Sequence, residues 1–442
     1  MEPNVILMAV ATVNPVNASL EVVLLRVLVQ LIVIIAAARV FGNVFRRLGQ
    51  PQVCGEIAAG LILGPSFLGG LAPGVSQLVF SSSVSQIFSI LSQIGLILLL
   101  FLIGLEFDFA HVKAKGRAAL TISAAGVVLP FILGLLVAEV LYPVAGQGIN
   151  KLGFSLFIAT ALSITAIPIL GRIMIELNIN LTYVGSLTIT AAAVDDATVW
   201  ILLTVVAAIV RSEFRPLHAV LMIVETAAFA IVMFGVVRPM LKKWILRRRE
   251  SEGDGISLTT LTAVLLLVLS CAVVTNLIGI FSIFGAFVAG AVLFDEEKFR
   301  AALTDRLRDF TVAFFLPIFF TYTGLRTDIG SMESRGLWLL CGLVLLAASA
   351  GKFGGCALAA RWSGLSWRNA CAVGVMMNTR ALMELIVINV GFELGVIPRS
   401  VFFMLVFMAV VTTYITTPLL RRTIRNTEME LLLASSEFMM NR

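Results

Sequence analysis

Charge is what this sequence has least of: Asp, Glu, Lys and Arg make up 13% of its 442 residues, against 59% hydrophobic ones. That is about half the charged share of a soluble domain. The shortage excludes a large water-soluble catalytic domain and sets most of the chain against lipid. Histidine is nearly missing. Only His111 and His218 occur, both beside basic or loop-like sequence, so a multi-histidine metal centre is not expected. The five cysteines, Cys54, Cys271, Cys341, Cys356 and Cys371, lie in apolar runs without CxxC spacing. They read as small core side chains rather than disulfides, zinc ligands or redox groups. No nucleophile-and-base motif and no phosphate-binding glycine loop stands out, and Gly64-Pro65 and Gly69-Gly70 read as loop punctuation. No enzymatic activity and no cofactor are therefore expected.

What is there is a succession of apolar runs. At about 20 apolar residues per crossing, runs between charged or Pro/Gly punctuation predict an all-α polytopic membrane protein with thirteen transmembrane helices. They fall at 19–41, 51–68, 84–107, 117–142, 152–176, 181–210, 216–245, 256–277, 279–294, 309–325, 336–361, 367–391 and 400–420. Residues 1–442 thus read as one membrane transport domain ending in a short cytoplasmic tail, 421–442. An odd number of crossings puts the ends on opposite sides. Most of the 32 Lys and Arg residues lie in one set of alternate loops together with the C-terminus. The opposite set holds only Lys151, Arg211, Arg215, Arg326, Arg335 and Arg399. Because basic loops stay in the cytoplasm, the expected orientation is N-terminus outside and C-terminus inside, in the plasma (inner) membrane. The net charge of +6 is mostly this collar, which suits a lipid surface and calls for no nucleic-acid partner.

Ionisable groups inside the spans are the informative residues, because each costs several kcal/mol in hydrocarbon unless it is paired or solvated. Asp195 and Asp196 sit together near the middle of the span 181–210. Adjacent helical residues point about 100° apart, so one can face a partner while the other faces a cavity. A purely structural pair of adjacent acids in an otherwise uncharged span is difficult to account for by packing. Lys352 lies among small residues, Ala348-Ser-Ala-Gly-Lys-Phe-Gly-Gly-Cys356, which permit close helix approach. Nine residues from the cytoplasmic end of its span, it could alternatively snorkel to water. Arg380 and Glu384 are four apart on one helical face and can neutralise each other structurally.

Two spans carry polar interruptions. In the fifth, Thr160-Ala-Leu-Ser163-Ile-Thr165-Ala-Ile-Pro168 contains a proline that cannot donate its backbone hydrogen bond. In the twelfth, Asn378 and Thr379 precede Arg380. Spans five and twelve are seven apart, and that offset inverts the direction of crossing. The pattern predicts inverted six-helix repeats, 19–210 and 256–420, joined by a linker helix at 216–245, with two broken helices crossing at mid-membrane. Ser163, Thr165, Asn378 and Thr379 are then the crossing-helix site.

Two midplane carboxylates, an ammonium and hydroxyl-bearing broken helices suit both protons and a small hard cation that prefers oxygen ligands. Burial penalises a carboxylate's charge and a neighbouring ammonium favours it, so such a group can exchange its proton for a metal ion. Competition of both ions for one alternating site suffices for exchange. In the preferred scheme the proton-loaded state has Asp196 neutral and Asp195 paired with Lys352, and the cation, liganded by both aspartates, releases protons from Asp196 and Lys352. Two protons then move per cation, and exchange is electrogenic. If Lys352 stays charged, exchange is one for one. A sodium-coupled organic anion symporter of the same architecture, with Arg380 facing the anion, is the alternative. A channel or membrane receptor with a vestigial transport site is a third reading.

The runs Leu48–Ser66 and Leu96–Asp108, the Asp195-Asp196 pair, Gly351-Lys352 and Met377–Gly391 together resemble the second monovalent cation/proton antiporter family. They are most similar to its branch of plant and fungal exchangers and their bacterial relatives. The resemblance implies the sodium/proton antiporter fold, with a mobile six-helix core, a dimerisation domain and elevator-like alternating access. It maps the essential cation and proton carrier onto Asp196 and the lysine-paired aspartate onto Asp195, with Lys352 as the partner. It further implies a homodimer and electrogenic exchange; Na+ is the first candidate cation, with Li+ and K+ as alternatives. Many members carry a long cytoplasmic regulatory domain not seen here. Many plant exchangers have Asn-Asp where this chain has Asp-Asp, which weakens any transfer of potassium selectivity.

Overall fold

The computed structural model describes residues 20–48, 50, 52–80, 85–106, 116–145, 148–166, 169–171, 174, 179, 182–211, 216–252, 256–293, 297–380 and 382–424. Pro168, His111 and the loop charges Lys113, Lys115, Arg172, Arg215, Arg425 and Arg442 lie outside these. The elements are helices: α1 Leu20–Arg47, α2 Gln52–Leu63, α3 Ser85–Glu106, α4 Gly116–Ala145, α5 Lys151–Ser163 and α6 Tyr183–Arg211. The middle of the chain forms α7 Pro216–Val232, α8 Arg238–Glu252, α9 Leu258–Ile278, α10 Ser282–Val292, α11 Glu297–Phe310 and α12 Leu316–Arg326. The last four are α13 Arg335–Trp362, α14 Trp367–Met377, α15 Leu382–Glu393 and α16 Arg399–Ile424. A π-helical turn, Met233–Val237, joins α7 to α8, and another, Thr311–Phe315, joins α11 to α12.

Among the described residues nine helices are long and apolar enough to cross a membrane. The count of thirteen is therefore not established by length alone, and each remaining crossing has an identifiable interruption. The fifth stops at Ser163, the ninth is the 11-residue α10, and the twelfth is split into α14 and α15. The tenth was expected to begin at Asp309, yet its helix begins at Glu297. α11 is rich in charge and escapes a search for apolar runs, although its Leu303 is fully buried.

The chain forms two compact units: Met1–Leu99 with Asp305–Gly330, and Leu100–Thr304 with Ser331–Arg442. In the first, Ile34, Phe88 and Ile318 form a buried core against Val27, Leu31, Ile35, Phe314 and Tyr322. Ser66 ties its loops by donating to Asp328 Oδ1 at 3.2 Å and accepting from the Ile329 N–H at 2.8 Å. Gln30, buried inside α1, donates to the Val79 carbonyl.

The second unit is organised by the close crossing of α4 and α13. A Cβ on Gly355 would lie 2.7 Å from the Ala125 carbonyl oxygen, and one on Gly126 would lie 2.5 Å from Cys356 Sγ. Small residues are what permit this approach, as expected around Lys352. Gly126→Ala is accordingly expected to destabilise the protein by about 1–3 kcal/mol through overpacking. The double variant Gly126→Ala/Cys356→Ala should recover most of that loss, as read by thermal unfolding in detergent. Side-chain caps fix the helix starts: Asn150 accepts from the Leu152 and Gly153 N–H groups of α5, and Ser366 accepts from Asn369 N–H of α14.

Candidate cation site

Each broken helix ends where the sequence turns polar and β-branched. After Ser163 the backbone becomes extended, with Ile164 at φ −75°, ψ 146°. α14 ends at Met377, and Asn378 is its C-cap. The two unwound segments meet: the Ala166 N–H donates to the Thr379 carbonyl at 2.9 Å, and Thr165 Oγ1 lies 3.1 Å from the Met377 carbonyl oxygen. These bonds satisfy backbone groups that unwinding would otherwise leave bare in hydrocarbon.

The end of α5 exposes carbonyl oxygens and the negative end of a helix dipole. Two buried cations cover it. Arg380 donates to the carbonyls of Ala161 at 3.1 Å, Leu162 at 2.7 Å and, from α13, Ala348 at 3.2 Å. Its Nη1 also lies 3.3 Å from both Glu384 oxygens. Lys352 donates to the Ser163 carbonyl at 2.6 Å, the Gly126 carbonyl at 2.8 Å and Asp195 Oδ2 at 2.6 Å. An ammonium has three N–H donors, and all three are taken. Lys352, Asp195, Arg380 and Glu384 are each fully buried, so Lys352 does not snorkel to water.

The paired aspartates are treated differently. Asp195 Oδ2 receives Lys352 and also Thr165 Oγ1 at 3.0 Å. Asp196 is 2% exposed and its Oδ2 has no hydrogen-bond partner among the described residues. Asp195 Oδ1, Asn378 Oδ1 and Thr379 Oγ1 are buried without partners among the described residues too. Each such oxygen costs about 1–3 kcal/mol while empty. A dehydrated hard cation or a proton would satisfy them.

Of the expected crossing-helix residues, Thr165 reaches a carboxylate, whereas Ser163 contributes its carbonyl. Its hydroxyl turns back to the Ala159 carbonyl at 2.8 Å and to that of Val127 at 3.2 Å. The sequence reading missed the acceptors Gly126, Ala161, Leu162 and Met377. Their contributing atoms are backbone carbonyls, common to every residue type.

Against known proteins, the model of the family described as sodium/hydrogen exchanger, transmembrane, matches residues 31–424. The chain belongs to this family. It is 39% identical over 400 residues to the Na+/H+ antiporter NhaS4 of Synechocystis, covering 90% of this chain and 96% of that one. It is 37% identical to cation/H+ antiporter 18 of Arabidopsis thaliana over 92% of its own length, but spans only 49% of that relative. The solved sodium proton antiporter MjNhaP1 of Methanocaldococcus jannaschii superposes with a TM-score of 0.64 at 15% identity, covering 94% of this chain and 99% of that one. At that identity the likeness establishes the fold, the sodium/proton antiporter fold that the family resemblance implies. The exchanger family gives the organic anion symporter no support, and Arg380, which would have held the anion, is occupied by carbonyls and Glu384.

Proposed function

We propose that this chain is a secondary active antiporter, not an enzyme, which exchanges a monovalent cation for protons by alternating access at Asp196. Na+ is the first candidate, with Li+ and K+ as alternatives. The observation that carries the reading is the asymmetry of the pair: Asp195 is neutralised by Lys352 at 2.6 Å, while the buried Asp196 Oδ2 has no partner among the described residues. A lone buried carboxylate in hydrocarbon must be neutralised to cross. Proton and cation are the two small charges that can do so, and they exclude each other.

Stoichiometry follows from Lys352. A cation bridging Asp195 and Asp196 competes with the ammonium for the Asp195 charge, and an ammonium that loses its counter-charge in a buried site releases its proton. Two protons leave for each cation, so exchange carries net charge. An imposed membrane potential is then expected to change the exchange rate in proteoliposomes, and a rate indifferent to voltage would exclude this scheme. The substrate is read in the same vesicles, by dissipation of a pH gradient on adding Na+, Li+ or K+ in turn. Saturation and reversal with the proton gradient are expected, and linear, gradient-independent flux would indicate a channel.

The Lys and Arg distribution supports an N-terminus outside and a cytoplasmic C-terminus, and the plasma membrane is the proposed location. The family resemblance supports a homodimer embedded in lipid.

A further inference from the structure

Trp200 follows Asp196 by four residues on α6, so the two lie on one helical face about 5–6 Å apart at Cβ. Long side chains in a helix lean back over the preceding turn, which directs the Trp200 side chain toward the turn that carries Asp196. The ring is held from α10: edge-on to Phe284, with centroids 5.2 Å apart at 84°, and stacked on Phe287 at 5.8 Å and 29°. Trp200 is 4% exposed, and its Nε1 has no hydrogen-bond partner among the described residues. An indole N–H can only donate, and an ionised carboxylate can only accept. One face of α6 thus carries an idle donor and an idle acceptor a single turn apart, in surroundings where each is costly alone.

We infer that Trp200 is a positioning residue for Asp196: its indole N–H is the donor that holds the Asp196 carboxylate when the site contains neither proton nor cation. This rests on Asp196 being the carrier. Few other groups can serve. α10 carries no ionisable side chain along Ser282–Val292. α4 bears charge only toward its ends, at Arg117 and Glu139, and α5 only at Lys151. On α7 the ionisable groups are His218 and Glu225, and on α14 Arg368 and the Cys371 thiol. Lys352 of α13 has its three donors engaged, and Arg380 bonds the end of α5 and Glu384 of α15.

A donor that stabilises only the empty, ionised site opposes proton and cation binding equally. Removing it tightens both by the same factor, about tenfold for a hydrogen bond to a charged group. The consequence has a signature in pH. In Trp200→Phe, which keeps a ring between Phe284 and Phe287, the KM for Na+ (or for Li+ or K+, whichever proves to be the substrate) falls about tenfold at alkaline pH. At acidic pH, where the ions compete directly, KM is unchanged because the two gains cancel. A KM that is unchanged or raised at alkaline pH overturns the inference.

A second measurement leaves Trp200 intact. In full-length protein with Trp244, Trp338, Trp362 and Trp367 all changed to Phe, Trp200 is the sole tryptophan of the five. Adding the transported cation at alkaline pH in detergent should shift its emission to the blue as the N–H loses its acceptor, and Asp196→Asn should abolish the shift. Emission indifferent to the cation overturns the inference. Exchange that survives Asp196→Asn removes the carrier assignment instead. Exchange lost in Asp196→Asn, together with an unaltered KM in Trp200→Phe, removes the Trp200 role alone.

Discussion

Asp196→Asn is expected to reduce cation-dependent proton exchange to the level of protein-free vesicles while the protein still folds. The substitution preserves size and removes only the charge, and the Asp196 Oδ2 atom makes no bond among the described residues that folding would miss. A neutral amide carries no proton across and does not neutralise a bare cation. Asp195→Asn should behave otherwise. It removes the buried partner of Lys352, which keeps only the Gly126 and Ser163 carbonyls, and breaking a buried ion pair from one side costs about 3–5 kcal/mol. With its carboxylate gone, position 195 no longer couples cation binding to proton release from Lys352. Residual exchange is then one for one, slower and insensitive to membrane potential. Full exchange in Asp196→Asn, with complete loss in Asp195→Asn, would reverse the two assignments.

That division of labour marks how far the sequence could be read. Asp195, Asp196, Lys352, Arg380 and Glu384 stand out because charge is improbable in an apolar span, and that improbability survives any error in helix boundaries. The broken helices were visible for a similar reason, since runs such as Thr160 to Thr165 cannot be explained by lipid. The rotation of α6 that turns one aspartate to Lys352 has no periodic cue, because the pair's neighbours along the span are mostly apolar. The preferred scheme and the family resemblance both set Asp195 against the lysine, and the structure has Asp195 Oδ2 2.6 Å from Lys352 Nζ. Hidden too were the carbonyls of Ala161, Leu162 and Ser163, because every residue has one and only the termination of α5 makes them available. The Ser163 hydroxyl, counted toward the site, instead makes the i−4 back-bond that buried hydroxyls in helices commonly make, and Thr188 and Thr204 do likewise. The early start of α11 escaped for the opposite reason, its charge resembling a loop.

Arg380→Met is expected to cost about 3–5 kcal/mol of stability, and the reason lies less in Glu384 than in α5. The sequence offers Arg380 and Glu384 as an ion pair, yet Nη1 stands 3.3 Å from the carboxylate oxygens while Nη2 is 2.7 Å from the Leu162 carbonyl. The shorter contact goes to the helix end. Glu384→Gln keeps an oxygen acceptor for Nη1, and the Ala161, Leu162 and Ala348 carbonyls still hold the guanidinium, but it removes the buried counter-charge at a cost of about 3–5 kcal/mol. The double variant discriminates between the two roles. If neutralisation of Glu384 were the main task, removing both charges would restore most of the loss. If capping dominates, the double variant stays within about 1 kcal/mol of Arg380→Met, because the Ala161, Leu162 and Ala348 carbonyls remain bare in either case. Denaturant or thermal unfolding in detergent separates these outcomes. Capping is expected, because an unwound segment at mid-membrane can hold a transported ion only if its other oxygens already have partners. Arg380 and Lys352 together supply those partners for Ala161, Leu162 and Ser163, and Asp195 Oδ1, Asp196 Oδ2 and Thr379 Oγ1, which have no partner among the described residues, are the oxygens proposed for the ion.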